Sequence, residues 1–265
     1  MSDLIIDIGG GFYRDYGQIL ASNPNLQLIL FEPHPERVNE ISGELFQSNT
    51  KISNTEIYND RIHLHKLIIV PNDLSDGVSK KTTNETTNET SKLYLMNDPP
   101  ASSTSPLTQD GPKKWKNPLR RPPLKCIKEV DVPSMTLDDY LSNHPNMLIC
   151  KYNKIKLFVI DIQDGVTEIL RHLSHTIYCR CERIIVKCIV TDFKLYSNQS
   201  AITDITTILK SHGFAMVHYY EYSRGQEKYI EFVDSNPTNS NLNPTNSNTN
   251  SIIQKDFGGF FIKHI

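Results

Sequence analysis

The residues with the clearest chemical potential lie close to the N-terminus. Residues 7–11 read Asp-Ile-Gly-Gly-Gly and directly follow the apolar run at residues 4–6, and Glu32 comes 21 residues after Gly11. Glycines let a ligand approach the backbone closely, because they carry no Cβ and reach positive φ angles easily. A carboxylate about 20 residues further on is where nucleoside-binding folds place the acceptor for ribose hydroxyls. This spacing predicts a site for an adenosine-containing molecule.

Such a site needs strands that end at a common edge, and the hydrophobic pattern supplies them. Strand patterns alternate with helix patterns along most of the chain, which predicts an α/β fold with a doubly wound, mostly parallel sheet. The chain closes with consecutive strands, which indicates an antiparallel edge. Strands are predicted at 4–8, 26–31, 62–70, 92–96, 126–132, 155–162, 183–190, 214–220, 229–233 and 257–263. Helices are predicted at 13–22, 35–47, 136–141, 166–173 and 200–212.

We interpret residues 1–265 as one domain with loop insertions. Residues 80–91 and 235–251 are low-complexity tracts rich in Asn, Thr and Ser, which cannot bury enough apolar surface to offset chain entropy. They are predicted to be disordered loops. Residues 97–125 are rich in Pro and Ser and then in Lys and Arg, and a loop of this length is typically either functional or mobile.

Composition limits the class of protein and its compartment. A net charge of −2 argues against bulk attraction to nucleic acid or to anionic membranes. The chain contains no apolar run near the ~18 residues that span a bilayer, so no membrane insertion is expected. Strand-like sequence begins directly after Met1, which indicates no signal peptide, and the five cysteines form no disulfide-like framework. Together these features predict a cytoplasmic protein.

The glycine turn distinguishes two classes of cofactor. A dinucleotide turn needs a third glycine for close packing of the helix, and Arg14 occupies that position here. Asp7, two residues before Gly9, suits a positively charged sulfonium and would sit poorly beside a pyrophosphate. S-adenosylmethionine is therefore favoured over a nicotinamide dinucleotide, although a nicotinamide-dependent oxidoreductase stays as an alternative.

Further segments, in order, resemble the FkbM-type methyltransferase family. Besides residues 7–11, the matching segments are Phe-Glu-Pro-His-Pro at 31–35, Asn-Asp at 72–73, Ser-Asp-Gly at 75–77, Ser-Ser at 102–103, Met-Thr-Leu-Asp-Asp-Tyr at 135–140, Phe-Val-Ile-Asp-Ile-Gln at 158–163 and Gly-Phe at 213–214. This resemblance implies a seven-stranded sheet and methyl transfer from S-adenosylmethionine, usually to a hydroxyl oxygen.

The resemblance also implies roles for particular residues. Glu32 would accept hydrogen bonds from both ribose hydroxyls, and Asp161, at the end of the fourth main strand, would hold the acceptor or assist its deprotonation. The methionine end of the cofactor would be lined by Asp7, Gly9, Gly10 and Gly11.

Three residues depart from the family pattern. Val159 stands where the family usually has lysine, Asp164 is interposed before Gly165, and Lys187 stands where the fifth strand usually ends in glutamate. These departures keep open a second interpretation, in which the chain is a catalytically degenerate binding module.

Two other groups of residues have possible chemistry. The basic run at residues 113–128 surrounds Trp115 and is either a solvated loop or a contact for an anionic acceptor such as RNA or a phosphorylated glycan. The acceptor itself is expected to be a small molecule, a glycan or RNA. The zinc-ligand types His172, His175, Cys179 and Cys181 match no known zinc module, so no metal site is assigned.

Overall fold

The structure is a computed structural model that describes residues 2–46, 51–52, 56–71, 90–115, 123–143, 152–221, 227–235, 255–256 and 259–260. The strands are β1 Ser2–Ile8, β2 Leu26–Phe31, β3 Lys51–Ile52, β4 Glu56–Tyr58, β5 Ile62–His65, β6 Ile68–Val70, β7 Thr90–Met96, β8 Cys126–Thr136, β9 Tyr152–Ile160, β10 Arg183–Ile189, β11 Phe214–Glu221, β12 Glu227–Asp234, β13 Lys255–Asp256 and β14 Gly259–Phe260. The α-helices are α1 Tyr13–Ser22, α2 Pro35–Leu45, α3 Gly111–Lys114, α4 Leu137–Asn143, α5 Val166–His172, α6 His175–Tyr178 and α7 Ile202–Ser211, and a 3-10 turn covers Pro99–Ala101.

The main sheet confirms the predicted α/β architecture. Its strand order is β11-β12-β10-β9-β1-β2-β5-β4-β3. The five strands from β10 to β5 are parallel, and β11 and β12 add the expected antiparallel edge. The family resemblance implied seven strands, whereas the described residues form nine in this sheet, because the short strands β3 and β4 extend it beyond β5.

Helices cover both faces of this sheet, because the side chains of each central strand alternate between two cores. In β1, Leu4, Ile6 and Ile8 pack with α4, α5 and α7, whereas Ile5 packs with α1 and α2 on the other face. This arrangement explains why the central strands read as continuous apolar runs. Gly213, in the left-handed region with φ +87°, follows the end of α7 as predicted.

A second sheet, of order β6-β8-β7, arises from the middle of the chain. The predicted strand at 62–70 is wrong as one element: it breaks at residues 66–67, so that β5 joins the main sheet and β6 pairs with β8. The predicted loop at 80–91 is also too long, because residues 90 and 91 begin β7, while 80–89 lie outside the described residues.

The described part of the segment 97–125 is packed rather than extended into solvent. Ala101, Trp115 and Leu124 are buried against Leu195 and Tyr196, which lie beyond the end of β10. The Tyr196 hydroxyl donates a hydrogen bond to the Ala101 carbonyl at 2.7 Å. This segment therefore forms a wall of the fold beside the carboxyl edge of the main sheet.

Most of the strand expected at residues 257–263 cannot be compared with the structure. Its described part is β14, which pairs antiparallel with β13 in a two-stranded sheet. Residues 257–258 and 261–263 lie outside the described residues, as do 236–251 of the predicted loop at 235–251. Among the helices that the structure describes, none is long and apolar enough to cross a membrane.

Candidate functional site

The glycine turn after β1 packs directly against the end of β9. Gly9 and Gly10 have φ angles of +105° and +59°, which L side chains rarely adopt. A Cβ on Gly9 would lie 2.2 Å from the Asp161 carbonyl oxygen, and one on Gly11 would lie 1.2 Å from Asp161 Oδ2. Glycine is required at both positions because the candidate catalytic aspartate occupies the adjacent space.

A cavity of about 630 Å³ lies at the carboxyl edge of the main sheet. This volume is within the usual range for small-molecule and cofactor sites, about 300–1,000 Å³. The carboxyl edge of an open α/β sheet is also where such folds bind ligands. The wall of this cavity carries most of the candidate chemical groups, and these are Gly9, Gly11, Glu32, Asp161, Lys187 and Tyr229.

Asp7 and Gly10 lie behind this cavity and not on its wall. Asp7 is fully buried, and its Oδ2 accepts a hydrogen bond from the Tyr16 hydroxyl of α1 at 2.8 Å. Burial raises the pKa of Asp7 to about 7, and the nearby Asp161 adds to the rise, although Tyr16 and the N–H groups of Phe12 and Gly10 oppose it. Asp7 therefore anchors α1 beneath the turn through Tyr16.

Glu32 follows β2 and faces the cavity from the opposite side of the turn. Its Oε1 accepts the His34 N–H at 2.8 Å, and its own N–H donates to the His65 carbonyl at 2.9 Å. Burial raises the pKa of Glu32 to about 8, against the opposing effects of the His34 N–H and Arg37. The hydrogen bond from the His34 N–H to Oε1 thus fixes the direction of the Glu32 carboxyl group, and Oε2 is the oxygen that this bond does not use.

Arg37, in the first turns of α2, connects Glu32 to the glycine turn. Its Nε lies 3.9 Å from Glu32 Oε2, its Nη2 donates to the Gly10 carbonyl at 3.3 Å, and its guanidinium lies 4.9 Å from the centre of the Tyr13 ring. The side chain is only 12% exposed. Sequence reasoning missed Arg37, although its position five residues after Glu32, on the helix that β2 feeds, was a usable signal.

Asp161 has two charged or polar partners from neighbouring strands. Lys187 Nζ, from β10, forms an ion pair with Asp161 Oδ1, and the Tyr229 hydroxyl, from β12, donates to Oδ2 at 3.1 Å. Burial is the largest single effect on Lys187 and lowers its pKa, but the Asp161 and Glu227 carboxylates together outweigh it, and the pKa lies above its ordinary value. Lys187, which was predicted only as a departure from a family pattern, is therefore a partner of the candidate catalytic group.

Val159, which also departs from the family pattern, is fully buried in the apolar cluster beside Ile5 and Ile185. It pairs in register with Asp7 on one side and Ile185 on the other. The cation near Asp161 thus comes from the end of β10 and not from β9. The family pattern places a lysine at position 159, and here Lys187 supplies the positive charge beside Asp161 instead.

The segment between β7 and α3 forms the outer wall of the cavity. Ser103 Oγ and Thr104 Oγ1 contact the Asp164 carboxylate at 2.6 and 3.3 Å, and Gln163 Nε2 donates to the Pro100 carbonyl at 2.7 Å. Asp164 is only 2% exposed. The aspartate that interrupts the expected Gln-Gly pair therefore ties the outer wall to the end of β9.

Of the zinc-ligand types at residues 172–181, His172 ends α5, His175 begins α6, and Cys179 and Cys181 follow α6. His175 Nε2 and Cys179 Sγ are 3.1 Å apart, whereas Cys181 is buried in the large apolar cluster. In the basic run, Lys113 is exposed and pairs with Asp110 at 3.2 Å. Lys116, Arg120 and Arg121 lie outside the described residues.

Fold and site together define a doubly wound α/β protein with a cavity at the carboxyl edge of its sheet, bordered by a glycine turn and buried ionisable groups. The family model described as "Methyltransferase FkbM domain" matches residues 22–216. The chain belongs to this family and is a methyltransferase.

Solved structures with related folds are distant from this chain. Magnesium protoporphyrin IX methyltransferase (ChlM) from Synechocystis PCC 6803, with bound SAH, is 10% identical over 88% of this chain and 74% of that one, with a TM-score of 0.37. M. capricolum TrmK with S-adenosyl-homocysteine is 10% identical over 88% and 62%, with a TM-score of 0.38. Precorrin-6y C5,15-methyltransferase from Geobacter metallireducens is 10% identical over 88% and 82%, with a TM-score of 0.36. No curated protein matches the chain.

Proposed function

We propose that the chain binds S-adenosylmethionine in the cavity and transfers its methyl group to a hydroxyl of a small molecule or glycan. One observation carries this proposal: the glycine turn, Glu32 and the Asp161–Lys187–Tyr229 group border one cavity of cofactor size. Family membership supplies the reaction class, and the geometry supports the assignment of roles.

The chemistry of the donor groups fits the cofactor. Glu32 presents a carboxyl group of fixed direction. Above its raised pKa of about 8 it is a charged acceptor, which makes stronger hydrogen bonds to ribose hydroxyls than a neutral one. Glycine at positions 9 and 11 lets the turn pack against Asp161 at the cavity wall. The carboxyl groups of Asp7 and Asp161 both lie near this turn, and Lys187 is the ion-pair partner of Asp161. When bound, the cofactor supplies a methyl group already activated by a sulfonium.

The task left to the protein is positioning in a site that excludes water. Asp161 would accept a hydrogen bond from the acceptor hydroxyl and take up its proton as the hydroxyl oxygen gains the methyl group. Lys187 and Tyr229 fix both carboxylate oxygens in direction, since they approach from different strands. Asp161 is the residue for which we propose direct contact with the acceptor.

A small acceptor is favoured over RNA by the position of the basic run. Lys113 and Lys114 do not line the cavity, and Trp115 is 9% exposed and packed in an apolar cluster, so it presents no open face for a base to stack on. The outer wall beside Asp161 is instead formed by Pro99, Pro100 and the serines after them. This wall supports an acceptor small enough to enter the cavity.

The cofactor assignment is tested by calorimetry with S-adenosylhomocysteine and NAD. Wild type should bind the adenosyl compound and not NAD. Glu32→Ala should lose roughly tenfold or more in affinity, because hydrogen bonds to a charged group contribute about 1.5–3 kcal/mol each. Glu44→Ala, an exposed change on α2, serves as the matched control and should bind normally. Binding that is equal in wild type and Glu32→Ala would remove Glu32 from the site.

The reaction is tested with a labelled methyl donor and cell extract separated into small-molecule, glycan and RNA fractions. Label should enter the small-molecule or glycan fraction and be stable to base, as an ether is. Asp161→Asn should reduce the rate by about 10²-fold or more, typical for loss of a general base, while S-adenosylhomocysteine still binds. Label in RNA alone would contradict the acceptor class, and full activity of Asp161→Asn would contradict the role of Asp161.

We also propose the cytoplasm as the compartment. The described cysteines, Cys126, Cys179, Cys181 and Cys188, are free thiols, which supports a reducing environment. Fractionation of cells with an antibody to the chain would test it.

A further inference from the structure

A cluster of metal-ligating side chains lies on β4 and β5 of the main sheet, next to the cavity but outside its lining. Glu56 on β4 stands opposite His65 on β5 in the antiparallel register, and His63 is two residues before His65. Residues two apart on a strand face the same side, and directly opposed residues share a face. The register therefore brings the three side chains together on one surface of two hydrogen-bonded strands.

The distances between their ligand atoms match a metal site. Glu56 Oε1 lies 3.0 Å from His63 Nδ1 and 3.6 Å from His65 Nε2, and all three atoms lie within 4.8 Å of one another. Ligand atoms bound about 2.0–2.1 Å from a tetrahedral Zn²⁺ are roughly 3.3 Å apart. A small movement of the two imidazoles would thus place all three atoms around one ion.

Neighbouring rings hold both histidines in this orientation. The Tyr58 ring stacks on His63 with centroids 5.7 Å apart and an interplanar angle of 6°. The Phe31 ring stacks on His65 at 5.4 Å and 27°. Pre-oriented ligands on rigid strands lose little entropy when they bind a metal.

We propose that Glu56, His63 and His65 form a binding site for a divalent transition metal of the Zn²⁺ class. Two imidazoles and one carboxylate are ligands that Zn²⁺ takes readily, whereas Mg²⁺ and Ca²⁺ prefer oxygen alone. The side chains of Glu56 and His63 are 21% and 15% exposed, so an ion can reach them from solvent. The hydroxyl of Tyr140 hydrogen bonds with His65 Nε2, and the metal would replace that contact at the nitrogen.

The site is coupled in space to the cofactor pocket. The His65 carbonyl accepts the Glu32 N–H at 2.9 Å, and Phe31, which stacks on His65, directly precedes Glu32. A metal that fixes His65 would also fix the end of β2 from which Glu32 projects. The metal thus has a structural role, and it takes no part in the methyl transfer proposed above.

The test is a metal titration of the full chain after removal of bound ions with a chelator. Zn²⁺ is titrated against a chromophoric chelator, and Co²⁺ is titrated by its visible absorption. Wild type should bind one equivalent and give the intense spectrum of tetrahedral Co²⁺. His63→Asn and Glu56→Gln should each weaken binding by more than the roughly 10- to 100-fold that loss of an outer-shell partner costs.

His218→Asn is the matched control, since His218 is an exposed histidine on β11 at the opposite edge of the sheet. It should bind the metal as wild type does. Circular dichroism checks that each variant is folded. If His63→Asn does not fold, the affinity of Glu56→Gln is compared with that of wild type instead. Absence of binding by wild type, an octahedral Co²⁺ spectrum, or equal affinity in wild type and both ligand variants would overturn the proposal.

Discussion

At the scale of single residues, the cavity edge concentrates ionisable groups that burial holds far from their ordinary behaviour. Asp7 and Glu32 have pKa values raised to about 7 and about 8, so both change charge near neutral pH. Lys187 supplies the balancing charge at Asp161. Desolvation therefore influences the pKa values of these groups as much as direct contacts do.

The raised pKa of Asp7 predicts how stability changes with pH. Between the ordinary value of 3.8 and about 7, the folded chain holds a proton on Asp7 that the unfolded chain has lost. Its contribution to stability is complete below about pH 4 and is lost as pH rises through 7. Asp7→Asn should therefore gain in unfolding free energy relative to wild type as pH rises from about 4 to about 7, and the gain should level off above that, as measured by urea denaturation.

Asp192→Asn is the control for this comparison, because Asp192 is exposed. The difference in unfolding free energy between Asp192→Asn and wild type should stay constant over the same pH range. A constant difference for Asp7→Asn, or one that shrinks as pH rises, would contradict the pKa assignment.

Lys187 gives the second prediction at this scale. Lys187→Met leaves the buried Asp161 carboxylate without its ion-pair partner and should destabilise the fold by about 3–5 kcal/mol. Adding Asp161→Asn removes the uncompensated charge and should restore much of that loss. Chemical denaturation of Lys187→Met, of Asp161→Asn and of the double variant measures the coupling, with Lys194→Met as an exposed control. Additive effects of the two changes would show that the pair does not interact.

At the scale of elements, local patterns predicted most boundaries well. α1 and β2 were predicted at the residues where they occur, because each pattern is complete within one element. The error at 62–70 has a different origin: an apolar run specifies a strand but does not specify which sheet it joins. Only the pairing partners, β2 for β5 and β8 for β6, divide the run in two.

The outer wall of the cavity gives the prediction that belongs to this scale. Asp164→Ala removes the acceptor for the Ser103 and Thr104 hydroxyls, which should cost about 1–3 kcal/mol locally. Amide exchange should accelerate at residues 94–105 and stay unchanged in β1 and β2. Affinity for S-adenosylhomocysteine should change by less than about twofold, since the glycine turn and Glu32 are untouched.

Exposed Asp192→Ala supplies the matched control, and it should leave exchange at residues 94–105 as in wild type. If Asp164→Ala also leaves that exchange unchanged, Asp164 does not hold the wall. If exchange accelerates throughout the sheet instead, Asp164 supports the core and not the wall.

At the scale of the whole molecule, the sequence was sufficient for the fold and the family but only partly for the site. The glycine turn and Glu32 are short-range motifs and could be read directly. The partners of Asp161 could not, because Lys187 and Tyr229 are 26 and 68 residues away from it along the chain. The Glu56–His63–His65 cluster depends on the β4–β5 register, which the sequence does not specify.

The position of β1 in the sheet has a consequence for the timing of folding. β1 pairs with β2, which begins after a further 17 residues, and also with β9, which begins at residue 152. During synthesis β1 can therefore acquire one neighbour early, but its second edge stays open until more than half of the chain has been made. Pairings of such large sequence separation slow folding and leave apolar strand edges exposed meanwhile. The glycine turn and the Asp161 carboxylate meet only in that step, and Lys187 and Tyr229 join them still later, so the pocket is among the latest parts of the molecule to form.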